Sequence, residues 1–169
     1  METLTKKLNI LILCTGNSAR SIIAEELLNH LGSEWLTAYS AGSKPTGQPN
    51  PFALQVLKDN GVDTSSAQSK SWDVFADDDA PAMDLIITVC GNAAGEVCPV
   101  WPGHPSTAHW GVEDPAAATG SDMEKRQKFN TCYEQMKDRI TAFINGLENG
   151  DEPRKLSLEI EQRYPDKRA

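Results

Sequence analysis

The sequence predicts an α/β fold, a parallel sheet carrying helices on both faces. Two observations lead there. Residues 8–13 and 84–89 are almost unbroken apolar runs, the pattern of strands buried on both sides. Between and beyond them apolar residues recur at helical spacing, so strands alternate with helices, which calls for parallel strands joined by crossovers. At 169 residues the chain suits one domain with a sizeable core.

The elements follow in order. The strand at 8–13 runs directly into a loop, 14–20. A helix over about 21–31 comes next, with Ile23, Ala24, Leu27, Leu28 and Leu31 on one stripe and Gly32 as its stop. Residues 35–41 read as a second strand and 42–49 as a loop rich in Gly and Pro. Asn50 caps a further helix with Pro51 in its first turn. Phe52, Leu54, Val56 and Leu57 are its apolar positions, and Asn60-Gly61 ends it. The third strand, 84–89, is closed by Cys90. The loop 91–105 is long enough to suggest function. A short fourth strand at 107–110 leads through 111–115 to a last helix, about 123–147. Its apolar residues Phe129, Cys132, Tyr133, Met136, Ile140, Phe143, Ile144 and Leu147 keep helical spacing. One domain is expected over 1–148. Residues 149–169 form a charged C-terminal extension, either poorly ordered or a peripheral helix.

The formal net charge of −8 argues against nucleic acid or an anionic membrane as a main partner, since both would repel the chain. No stretch is apolar enough to span a bilayer, and the first apolar run has no small-residue cleavage site after it, as a secretory signal would. A cytoplasmic monomer is expected. Four cysteines, Cys14, Cys90, Cys98 and Cys132, do not make a disulfide-stapled secreted domain. In a reducing compartment such cysteines are catalytic, metal-binding or buried.

In parallel sheets ligands bind at the carboxyl ends of the strands. Cys14, Cys90 and Asp114 all fall there, after the first, third and fourth strands. The segment Cys14-Thr15-Gly16-Asn17-Ser18-Ala19-Arg20 joins a buried strand to a helix N-terminus, where successive backbone N–H groups and the helix dipole favour an anion. Gly16 permits a tight turn and Asn17 tolerates a left-handed conformation. Arg20 offers a planar fork to two oxygens of a tetrahedral oxyanion. The same field favours a thiolate, which makes Cys14 the expected nucleophile, with Ser21 able to donate to its sulfur. The plainer alternative, a buried cysteine beside a turn glycine, does not explain the arginine at the same junction.

That segment, near the N-terminus and followed by Ser21, resembles the low-molecular-weight tyrosine phosphatase superfamily, and more closely the arsenate reductases built on that fold. The resemblance runs from about Leu8 to Leu147. It implies a four-stranded parallel sheet flanked by helices, a phosphate-like or arsenate oxyanion as substrate, and an Asp-Pro acid, here Asp114-Pro115. A carboxylic acid is needed to protonate the departing oxygen, although Asp-Pro is also a common turn initiator.

Two features favour the reductase branch over a phosphatase for aryl phosphates. The phosphatases follow Asp-Pro with aromatic residues that wall a phenyl ring, whereas Ala116, Ala117 and Ala118 follow here. They also need no cysteine after the third strand, where this chain has Cys90 and Cys98. The implied relay has Cys14 form an adduct with arsenic, Cys90 attack the Cys14 sulfur to release arsenite, and Cys98 attack Cys90. The disulfide then passes to thioredoxin. Alternatives remain. Cys98 is a bystander if glutathione or glutaredoxin resolves the intermediate. Cys90, Cys98, His104 and His109 could hold a metal, though their spacing matches no usual zinc pattern. A sensor that only binds the anion would have no use for Asp114. No bound cofactor or metal is expected, and Cys132 is assigned to the core.

Some members of the family bind potassium beside the loop. Asn17, Glu25 and Ser40 match three of the residues they use, and Lys70 stands at the fourth. A lysine ammonium in the cation's place would support Asn17 directly, which predicts no potassium requirement. The alternative makes Glu25 a solvated helix residue and Lys70 a surface charge.

Overall fold

A computed structural model describes residues 7–89 and 105–165. Cys90, Cys98 and His104 lie outside these residues. Four strands, β1 (Leu8–Leu13), β2 (Leu36–Ala41), β3 (Leu85–Thr88) and β4 (Ser106–His109), form one sheet in the order β2-β1-β3-β4. All three pairings are parallel. Successive strand side chains point to opposite faces, yet Ile10, Leu11, Ile12 and Leu13 are all fully buried, so the sheet is covered on both sides. Register aligns the strand ends: Leu13 faces Ala41 and Thr88, and Thr88 faces His109. The segments that leave β1, β2, β3 and β4 therefore emerge along one edge.

The helices are α1 (Arg20–Gly32), α2 (Pro51–Asp59), α3 (Asp122–Glu148) and α4 (Pro153–Arg163), with short 3-10 turns at Trp72–Phe75 and Pro115–Ala117. Among these helices α1, α2 and α3 pack on one another. The Asn50 side chain accepts from the Phe52 N–H at 2.9 Å and Pro51 opens α2, as the sequence suggests. Every expected core residue of α3 is buried. No helix among the described residues is long and apolar enough to cross a membrane.

The expected stripe on α1 needs correction. Its buried surface extends around the helix from Arg20 to Leu28 and includes Ile22, whereas Leu31 is exposed. The helix ends at Gly32 as expected, with no left-handed residue there, since Ser33 after it keeps right-handed angles. The glycine serves packing instead: a Cβ there would stand 3.0 Å from Leu36 Cδ2 and 3.1 Å from Ile144 Cδ1.

The charged extension contains α4, which enters the core. Glu152 caps it by accepting from the N–H groups of Arg154 and Lys155. Leu156 and Ile160, one turn apart, are buried in the same cluster as the sheet residues. Leu156 lies flat against α3 because Gly146 has no side chain; a Cβ there would meet Leu156 Cδ1 at 2.7 Å.

Candidate active site

The loop after β1 turns three of its carbonyls outward. Thr15 O accepts from the Lys44 N–H at 2.9 Å, Gly16 O from Thr46 at 3.0 Å and Ser18 O from Asn50 at 2.8 Å. In a trans peptide the N–H points opposite to the C=O, so the N–H groups of Gly16 and Ala19 face the other way, into the loop. At the loop's end α1 begins with no side-chain cap, since Ala19 at the N-cap position has none to offer. Its leading N–H groups suit an anion. Cys14 heads the loop, 6% exposed, with Thr15, Gly16 and Ser18 half-buried and Asn17, Ala19, Arg20 and Ser21 buried.

The left-handed turn falls on Asn17, with φ of 45°, and not on Gly16, whose φ is not positive. A side-chain network holds that turn. Asn17 Nδ2 donates to Ser21 Oγ at 2.8 Å and to Ser40 Oγ at 2.9 Å, and Ser40 Oγ donates to Glu25 Oε1 at 2.6 Å. Accepting from Asn17 leaves the Ser21 hydroxyl proton to donate elsewhere. Glu25 is thus buried and bonded, not solvated, and burial raises its pKa although the Lys70 charge and the Ser40 bonds oppose the rise. The expected ammonium contact from Lys70 is not made. Its backbone N–H donates to Asn17 Oδ1 at 2.8 Å, while Nζ reaches Gln68 O at 3.2 Å.

Across the edge, Asp114 uses its two oxygens differently. Oδ1 accepts from the Ala116 N–H at 2.9 Å and caps the short turn that Pro115 begins. Oδ2 lies 3.6 Å from Arg20 Nη2. Asp114 therefore initiates a turn and also stands beside Arg20. Arg20 Nη1 donates to Val112 O at 3.1 Å, and its Nε is buried without a hydrogen-bond partner among the described residues. The structure thus gathers Cys14, the loop N–H groups, Arg20 and a half-exposed carboxylate at one spot. The pattern that defines low molecular weight phosphotyrosine protein phosphatases matches residues 9–152. The chain belongs to that family.

Within this phosphatase family the chain is similar to several proteins named arsenate reductase. An arsenate reductase of Bacillus licheniformis is 41% identical over 138 residues, spanning 81% of this chain and 95% of the relative. The solved thioredoxin-dependent arsenate reductase of Corynebacterium glutamicum is 28% identical. It superposes with a TM-score of 0.64, covering 88% of this chain and 66% of that one. An arsenate reductase in a phosphate-binding state, 27% identical, gives 0.66 over 82% and 97%.

Several parts of this phosphatase-family site carry no sequence signal of their own. Gly42, at the end of β2, approaches the loop so closely that a Cβ would overlap the Cys14 and Thr15 carbonyl oxygens. Its N–H and C=O pair with Lys70 O and Trp72 N, which brings the 69–72 segment under the loop. There Ser69 Oγ donates to Gly16 O at 3.3 Å. Cys132 sits behind the site, within the field of Arg20 and Asp114; burial pushes its thiol up to about 12, so it is uncharged at neutral pH. His109 Nδ1 lies 2.7 Å from Thr88 Oγ1. The other members of the metal alternative, Cys90, Cys98 and His104, fall outside the described residues, and so does the relay expected of the two cysteines.

Glu26, buried on α1 beside this network, is pushed up to about 7 by burial first and then by the charges of Glu25 and Asp63, with Lys70 opposing. A folded pKa above the ordinary 4.5 means that the native state binds the proton more tightly. The stabilisation is complete below about 4.5 and is lost as pH rises toward 7. Glu26→Gln should flatten this decline and raise stability at pH 8 by on the order of 2 kcal/mol. Urea unfolding at pH 5 and pH 8 measures it; an unchanged pH dependence would refute the assignment.

Proposed function

We propose that this protein is an arsenate reductase that passes electrons from thioredoxin through Cys98 and Cys90 to Cys14. The observation that carries the reading is Cys14 at the head of a loop that ends in Arg20, which pairs with Asp114, in a chain closely similar to arsenate reductases. The Cys14 thiolate attacks arsenic(V), and Asp114 protonates the departing hydroxide as water. Arg20 and the loop N–H groups hold the remaining oxygens. The Cys90 thiolate then attacks Cys14 Sγ. The electron pair of the arsenic–sulfur bond stays on arsenic, which leaves as arsenite(III), and a Cys14–Cys90 disulfide remains. Cys98 attacks the Cys90 sulfur, frees the Cys14 thiol and presents a Cys90–Cys98 disulfide to thioredoxin. Such a relay requires a reducing compartment, the cytoplasm.

The test supplies arsenate with thioredoxin, its reductase and NADPH. Arsenate-dependent NADPH oxidation is expected, with arsenite formed one for one. Turnover only with glutathione and glutaredoxin would replace the reductant. Efficient hydrolysis of an aryl phosphate without arsenate reduction would instead make the protein a phosphatase.

The potassium arrangement does not fit this chain. Lys70 stands where the fourth potassium ligand would, its backbone N–H already donates to Asn17 Oδ1, and its charge opposes the rise in the Glu25 pKa. Reduction rates in sodium and potassium buffers of equal ionic strength should agree within roughly twofold, against the larger change expected when a network ligand is lost.

A further inference from the structure

Two buried arginines hold adjacent carbonyls of the segment that carries Asp114. Arg20 takes Val112 O from the loop side. Arg139, on α3 and 6% exposed, donates from Nη2 to Gly111 O at 3.3 Å. Other contacts of Arg139 are made by α3 and by Tyr164. Nη1 donates to Gln135 O at 2.8 Å, Nη2 also reaches Tyr164 O at 3.3 Å, and the Tyr164 ring centre lies 5.2 Å from the guanidinium carbon. Two further bonds tie α4 to the same stretch. Glu161 Oε1 accepts from the His109 N–H at 2.7 Å, and the Trp110 indole donates to Ser157 O at 3.0 Å. Beside residues 111–113 opens a cleft of about 370 Å³, bounded also by Asp138 and Arg163. The segment therefore has room to move unless it is held.

We propose that Arg139, seated by the C-terminal helix, is a positioning residue for Asp114. This rests on reading Asp114 as the proton donor. Arg20 fixes one side of the segment and Arg139 the other, so the carboxyl stays opposite the loop as the substrate arrives. The helix that seats Arg139 starts at Pro153, just past the stretch matched by the family. The seat of Arg139 therefore lies outside the stretch that the family pattern matches. A proton donor displaced by about 1 Å loses on the order of a hundredfold in rate, so bracing of this kind has kinetic weight.

Arg139→Lys keeps the charge and stem but loses the fork that reaches three carbonyls. Arsenite release in a single turnover should slow roughly tenfold, with half-saturating arsenate shifted less than about twofold. In an Asp114→Asn background the same substitution should matter less than about twofold, because the group it positions is already gone. Glu161→Ala, at a half-buried surface position, should show a smaller loss with the same dependence on Asp114, and carries the test if Arg139→Lys does not fold. Equal fold-losses in both backgrounds, or wild-type rates in the variants, would overturn the positioning role alone. An Asp114→Asn protein with the wild-type rate would overturn the donor reading and this role together.

Discussion

Cys14→Ser should release no measurable arsenite, a loss of at least about 10⁴-fold, comparable to removing the nucleophile of other covalent enzymes. A serine hydroxyl at the same place is a poor nucleophile without an adjacent base, and the loop supplies donors and cations only. Serine also cannot form the disulfide through which two electrons reach arsenic, so both halves of the reaction fail at once. The fold should survive, because Cys14 is a small side chain at a strand end and its backbone bonds, N–H to Ala41 O and C=O from the Asn17 N–H, do not involve sulfur. Arsenate or phosphate should therefore still raise the melting temperature of Cys14→Ser. Rapid-quench measurement of arsenite with the thermal shift separates the two properties. Arsenite release at the wild-type rate would remove Cys14 from the mechanism.

Cys98→Ser should release one arsenite per protein and then stop with thioredoxin. Up to that point only Cys14 and Cys90 are needed, and the product is their disulfide, two hydrogens lighter by intact mass. Cys90→Ser should stop earlier, with arsenic still bound through Cys14 and no arsenite freed. The order of arrest follows from thiol exchange, in which each attack needs a free thiolate and a sulfur with a leaving group. The chemistry also separates the reductants. Glutathione can attack the Cys14 adduct directly, so turnover of Cys90→Ser with glutathione but not thioredoxin would move this protein to a glutathione-coupled scheme. Normal turnover of Cys90→Ser with thioredoxin would refute the relay.

The strand at 8–13, the Asn50-Pro51 cap and the long helical stripe from Phe129 to Leu147 were legible because each is a local pattern whose period or chemistry declares it. So was the turn from β1 into α1, where cysteine, glycine and arginine cluster within seven positions. What escaped depends on partners distant in the chain. The spacing that aligns Lys70 with the loop does not reveal that its backbone, and not its ammonium, meets Asn17. Gly42 looks like one more loop glycine until the Cys14 and Thr15 carbonyls are seen above it. Charge masked α4, whose two core residues are spaced one turn apart among lysines, arginines and glutamates. Arg139 carries no motif, and only the fold brings it to Gly111.

The saturated carboxamide of Asn17 has a consequence for how the protein meets its ligand. Both amide protons and the oxygen are engaged within the chain, so the left-handed turn exists before any anion arrives. A receptor preorganised in this way spends little on ordering at the moment of association. Titration calorimetry of phosphate or arsenate should accordingly show a small heat-capacity change, because the turn that receives the anion is already formed. Loosening Asn17 would convert a rigid lock into one that must be assembled at every encounter.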